Sequence, residues 1–271
     1  MLKRVFTYLI IAFMAFSCTE YGRITRSGSV EDKYQAAIRY YQEQEFYKCT
    51  SLLETIIPYI SGGDEFVDAL FIFAESYFYQ KDYIMAEYYY KKFNSKFPRS
   101  EKVQKSEYMI AKSQYMQSPK ISLDQTQTIN ALASMQGYLN KYPKSENSQE
   151  CANLIDELSK KLEDKDYTTA KLHLKIKNYK AATTLFDTFA QDFPSSNYLE
   201  ELSFLKIKAQ YELAKISVDK IKEEGKIIYL QNERYKKVVE YYFDFTDRYK
   251  ESKYTKEAEW YYKSADNNSK I

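Results

Sequence analysis

A chain of 271 residues, 44% hydrophobic and 17% aromatic, has the length for one large domain or two small ones, yet it holds only six Gly and five Pro. So few residues tolerant of tight turns exclude a hairpin-dense β protein, and the supply of Lys, Glu, Ala, Leu and Gln favours helix. Forty basic against 38 acidic side chains give a formal charge of +2, with no concentrated basic surplus of the kind that nucleic-acid binding needs.

The first element is a targeting segment. Lys3 and Arg4 precede "VFTYLIIAFMAF" (5–16), an apolar run of 12 that is too short for a membrane span of about 20 residues and suits a signal peptide over residues 1–17. The run ends in Ser17-Cys18. "AFSC" resembles a bacterial lipobox, with Phe16 where a small residue is usual, and makes Cys18 the expected lipidation site. Several acyl chains on one residue hold firmly to a membrane where one would not. Removing residues 1–17 takes Lys3 and Arg4 and no acid, leaving 38 basic against 38 acidic groups. Residues 18–29 read as a lipidated tether.

From residue 30 a period emerges that matches the tetratricopeptide (TPR) pattern: a small residue in one helix, a second small residue 12 positions on, an aromatic four later, and a closing proline. Repeat 1 (30–61) has Ala37, then Cys49, Leu53 and Ile56. Repeat 2 (65–100) puts Leu70, Phe73, Ala74 and Tyr77 on one helical face, turns at Lys81-Asp82, and continues with Ala86, Tyr90, Phe93 and Pro98. Repeat 3 (101–145) runs from Ala111 to Ala131, Met135, Tyr138 and Pro143, with eight extra residues at "SPKISLDQ". Repeat 4 (146–196) opens on a stretch with no breaker, its apolar positions at Leu154, Ile155, Leu158 and Leu162, and then shows Ala170, Ala182, Phe186, Phe189 and Pro194. Repeat 5 (197–252) is looser: Ala209 leads to Val238, Tyr242 and Phe245 past an insertion around "DKIKEEGK". A terminal helix is expected over 253–268. Two helices that cross closely need small side chains at the crossing, which is why the small residues keep the frame. The expected fold is an all-α solenoid of about five TPR-like hairpins, with a long helix between repeats 3 and 4.

The joints repeat as well: "FPRS" (97–100), "YPKS" (142–145), "FPSS" (193–196) and, without the proline, "YKES" (249–252). Proline ends one helix and drives the preceding aromatic out of helical conformation, and the serine can cap the next helix.

Reactive chemistry is sparse. The single histidine, His173, occupies the place of Tyr40 and Tyr77 and reads as a packed imidazole; no partner ligands for a metal lie near it. No phosphate-binding glycine loop, nucleophile elbow or Cys/His pairing is present, so no catalytic residue, metal or cofactor is expected. Cys49 reads as a small apolar residue at a crossing, and Cys151 lies in a non-adjacent unit, which argues against a bridge. One further pattern stands out in the first helices: Tyr34 and Tyr41, Phe71 and Phe78, Tyr108 and Tyr115, each pair seven apart and successive pairs 37 apart. They lie about 50° from the crossing seam, toward the face that lines the inner curve of such arrays. Packing between units is one reading; an aromatic-lined groove for an extended apolar peptide is the other.

A lipidated cysteine, a short tether, "DKYQAAIRYYQEQEFYKCTSLLETIIP", three aromatic-Pro-x-Ser joints and a long helix before repeat 4 together resemble the BamD family, the lipoproteins of the β-barrel assembly machinery. The resemblance covers residues 18 to about 265. It implies a non-enzymatic protein without cofactor, anchored at the periplasmic face of the outer membrane. Its implied partners are the POTRA domains of a BamA-like barrel protein, docked on the C-terminal repeats, and unfolded outer-membrane β-barrel precursors, met by the N-terminal repeats. The competing expectation is a generic periplasmic TPR lipoprotein that scaffolds envelope or peptidoglycan enzymes.

Overall fold

The computed structural model describes residues 20–60, 64–219 and 225–269, and among them every regular element is an α-helix. Residues 1–17 and Cys18, the expected signal and anchor, lie outside the described residues. After α1 (residues 20–27) come α2 (Val30–Gln42) and α3 (Phe46–Ile56), α4 (Asp64–Tyr79) and α5 (Tyr83–Lys96), α6 (Val103–Met116) and α7 (Thr126–Lys141). The chain continues with α8 (Ser148–Lys175) and α9 (Tyr179–Asp192), α10 (Leu199–Asp219) and α11 (Gly225–Arg248), and α12 (Thr255–Ser269). Two compact units divide the chain inside α8, at residues 159 and 160. In each, antiparallel hairpins stack in tandem as the sequence period requires. The unbroken stretch before repeat 4 is a single helix of 28 residues, about 42 Å long at 1.5 Å per residue.

The small residues sit where helices cross. Ala37, Ala74, Ala111, Ala170 and Ala209 in first helices, and Cys49, Ala86, Ala131, Ala182 and Val238 in second helices, are all buried with at most 1% exposure. Around them the larger side chains interlock, Phe71 meeting Tyr90 and Phe93 edge-on, with ring centroids 5.7 and 5.3 Å apart. Cys49 and Cys151 are free thiols, each buried in its own hydrophobic cluster. Cys49 accepts a hydrogen bond from Ser76 Oγ at 3.4 Å, and burial pushes its thiol up to about 11.

Three turns inside hairpins are built alike. Gln44, Lys81 and Lys177 adopt φ of 61°, 65° and 62°, the left-handed conformation that closes a helix. The next residue's N–H then reaches back five positions, Glu45 to the Tyr40 carbonyl, Asp82 to Tyr77 and Asn178 to His173, at 2.8–3.0 Å. His173 therefore shares a backbone role with Tyr40 and Tyr77; its imidazole is half-buried near the end of α8. Asp82 and Asn178 also cap α5 and α9, accepting from Met85 N and Ala181 N.

The joints between hairpins form a second repeated device. Phe97, Tyr142 and Phe193 leave their helices near φ −130° and ψ 60°, outside the helical region that a following proline disfavours. The serine three residues on donates its N–H to the aromatic's carbonyl, and this bond holds at Ser252 to Tyr249 (3.2 Å) without any proline. Each joint aromatic packs on the ring four residues earlier: Phe93–Phe97, Tyr138–Tyr142, Phe189–Phe193 and Phe245–Tyr249, 5.0–5.6 Å apart. The serine lies just outside the next helix, and Ser100, Ser196 and Ser252 accept from the N–H two residues ahead. The fourth joint leads directly into α12, which buries Ala258, Tyr261 and Ala265.

At the other end α1 folds back along α2. Gly28 makes the turn tight, since a Cβ there would come within 2.6 Å of the Ile24 carbonyl. Ser29 and Asp32 then form a reciprocal capping box on α2.

Candidate functional site: the seam between first helices

The predicted aromatic pairs lie on the first helices, and the structure divides them by position. Tyr34, Phe71 and Tyr108 are buried, while Tyr41, Phe78 and Tyr115 are half-buried. Phe71 packs against its own hairpin's second helix, and Tyr108 does the same against Tyr138 at 5.6 Å. Phe78 meets Tyr83 edge-on at 5.4 Å across the turn. Burial, aided by Asp68, Glu65 and Glu31, raises the Tyr34 hydroxyl above its ordinary range.

The outer members of the ladder reach between hairpins. Tyr41 Oη donates to Glu75 Oε2 at 2.6 Å, and Lys105 Nζ donates to Oε1 of the same carboxylate at 2.8 Å. One buried glutamate thus ties α2, α4 and α6 together. Burial, then the bond to Glu75, raises Tyr41 far above its ordinary value. Tyr115 Oη donates to Glu157 at 2.8 Å, and burial with that bond pushes it up to about 12. In unit 2 the motif recurs: Tyr167 and Lys171 both donate to Glu201, at 2.8 and 2.7 Å. Tyr108 and Lys112 hold the Glu150 carboxyl below the usual carboxylate range. Each unit thus holds a Tyr–Glu–Lys contact, at Glu75 in unit 1 and at Glu201 in unit 2, and unit 1 adds the Tyr115–Glu157 bond.

Two glutamines, 37 residues apart, were not singled out in the sequence. Gln80 Nε2 donates to the Phe46 carbonyl (3.3 Å) and Thr50 Oγ1 (3.2 Å); Gln117 Nε2 donates to the Tyr83 carbonyl (3.4 Å) and Glu87 Oε2 (2.9 Å). Each clamps the end of a first helix to the start of the preceding hairpin's second helix. Their shared spacing was the available signal.

Unit 2 also has a cleft of about 360 Å³ between α9, α10 and α11. Lys206 lines it, paired with Asp187 at 2.5 Å and lying 3.7 Å over the Tyr241 ring. Among the described residues no group of three or more His, Cys, Asp or Glu is placed to hold a metal ion. No helix among them is long and apolar enough to cross a membrane.

The profile of the outer membrane lipoprotein family YfiO matches residues 26–224, from the end of α1 to the threshold of α11. The chain belongs to this family. Membership of this lipoprotein family associates the chain with the outer membrane, and its described helices form tandem TPR-like hairpins. No curated protein matches the chain. Among solved structures, two crystal structures of a Podosopora anserina putative kinesin light chain with nearly identical TPR-like repeats, one of them of a point variant, are 12% identical to this YfiO-type chain. They cover 85% and 82% of it and 99% and 97% of their own chains, with TM-scores of 0.33 and 0.32. The apo form of RapI is 13% identical, covering 89% of this chain and 98% of its own at a TM-score of 0.29.

Proposed function

We propose that this chain is the non-enzymatic scaffold of an outer-membrane β-barrel assembly machinery, anchored through Cys18 at the periplasmic face. In this role it docks the POTRA domains of a BamA-like protein and receives unfolded barrel precursors on its N-terminal hairpins. The YfiO family match over residues 26–224 carries the reading. The first-helix seam supports the receiving role. Tyr41, Phe78 and Tyr115 are half-buried and leave apolar area for an extended segment, while Glu75 and Glu157 hold the two tyrosine hydroxyls.

Copurification from detergent-solubilised outer membranes tests the partnership: a stoichiometric POTRA-barrel protein is expected, and its absence favours a generic envelope scaffold. The groove is tested with a peptide ending in an aromatic barrel signal. Its affinity is expected to fall in Tyr41→Ala/Tyr115→Ala, whereas lost stability with unchanged affinity assigns those rings to packing alone.

A further inference from the structure

The ends of the unit 1 hairpins differ in a way that neither packing nor the seam explains. At the second residue of second helices stand Tyr47 and Ile84, 73% and 69% exposed. At the end of first helices stand Tyr79 and Met116, 50% and 42% exposed, and the α6–α7 loop adds Leu123 at 56%. Tyr47 and Ile84 are 37 residues apart, and so are Tyr79 and Met116, so the exposure follows the repeat. In the single unit 2 hairpin of matching frame, the equivalent positions are Lys175 and Lys180, both exposed, and the exposed apolar side chains beside them, Leu172 and Ile176, stand among Lys171, Lys175 and Lys177. The apolar side chains of unit 1 share one edge, because Gln80 and Gln117 clamp each turn to its predecessor and Tyr79 stacks on Phe46 at 4.7 Å.

The first described residue, Glu20, lies at the same edge. α1 runs antiparallel to α2, so Glu20 pairs with Arg39 at 2.9 Å and the Tyr21 ring lies 5.8 Å from Tyr40, at the turn end of the first hairpin. Cys18 is two residues upstream of Glu20, and two residues of chain span at most about 7 Å. A lipid on Cys18 therefore holds this edge, and not the opposite joint edge, beside the bilayer.

We propose that the turn edge of unit 1 lies in the lipid interface, with Tyr47, Tyr79, Ile84, Met116 and Leu123 reaching the boundary between headgroups and acyl chains. Tyrosine and aliphatic side chains partition there, and the tether supplies the local concentration that makes a small apolar edge sufficient. Charges on the edge oppose one another, Lys48, Lys81 and Lys120 against Glu43, Glu45, Asp82 and Asp124, so contact does not depend on anionic lipid. The inference rests on Cys18 as the anchor.

The test uses the full acylated chain reconstituted in phosphatidylcholine vesicles, in a Trp260→Phe background that removes the only tryptophan. One reporter is Ile84→Trp at the turn edge; the other is Lys144→Trp at the exposed joint edge. Ile84→Trp is expected to shift to shorter wavelength and lose emission to lipids carrying a nitroxide near the headgroup, in 0.5 M salt (about a 4 Å screening length) as in low salt. Lys144→Trp is expected to stay unquenched. Vesicle flotation with both reporters equally quenched, or both unquenched, overturns the edge assignment and leaves the anchor standing. Failure to float overturns the anchor and this inference with it.

Discussion

Gln44, Lys81 and Lys177 hold a left-handed backbone that costs an L-residue about 1–2 kcal/mol, and glycine at that position avoids it. The Lys81 side chain is exposed, so Lys81→Gly loses little contact. It is expected to raise stability by about 0.5–1 kcal/mol after glycine's extra chain entropy is counted, read as a higher urea midpoint. The opposite device applies at Lys250. The joint around it keeps the hydrogen bonds of the proline joints, and Lys250→Pro should stabilise by about 0.4–1 kcal/mol through the unfolded chain. A lowered midpoint in that variant would show that Tyr249 does not reach the pre-proline conformation of Phe97. The repeat placed one of these turns at Lys81-Asp82, but the left-handed conformation was not legible because none of the three residues is Gly or Asn. The joints were legible because proline and serine carry their geometry in their chemistry.

Helices were legible as far as their crossings were. A small residue paired with another across the hairpin has one cause, close approach, and each one predicted at a crossing is buried. Ala86→Leu is therefore expected to cost about 1–3 kcal/mol by overpacking the α4–α5 crossing. The seams between hairpins were less legible. A glutamine or glutamate at a helix end looks like any solvated residue until the next hairpin supplies its partner. Gln117→Ala removes hydrogen bonds to the Tyr83 carbonyl and Glu87 and is expected to cost about 1 kcal/mol. Hydrogen exchange should then speed up first at the α5 start and the α6 end; a change confined to α7 would point to another cause. The aromatic pairs show the limit of periodicity, which placed all six on one face but could not say which three are buried.

Across the molecule, ionisable groups bound stability on both sides of neutrality. Burial alone would raise the Glu87 carboxyl, yet hydrogen bonds from Lys91, Gln114 and Gln117 together hold it low; Glu150 is held low by Tyr108 and Lys112. With folded values below an unfolded value of about 4.3, these groups contribute fully above that pH and lose their contribution as pH falls through the folded values. Tyr77, Tyr115 and Tyr261 behave in reverse. Burial first, with Tyr89, Glu157 and Glu257 respectively the next main neighbours or bonds, pushes each up to about 12. Their contribution is present below an unfolded value near 10 and is lost as pH rises toward about 12. Urea midpoints across pH should thus fall at both extremes, with Glu87→Gln flattening the acid limb and Tyr115→Phe the alkaline one.

The Gln80 and Gln117 clamps carry a consequence for how such a chain can change length. Excising residues 65–101, one period of 37, would set Gln117 against the Phe46 carbonyl that Gln80 now grips. Lys102, now paired with Asp68, would face Glu31 at the equivalent place. A recombination event that dropped a whole hairpin would therefore keep the clamp and an ion pair at the new boundary, and would lose the Glu75 tie between Tyr41 and Lys105.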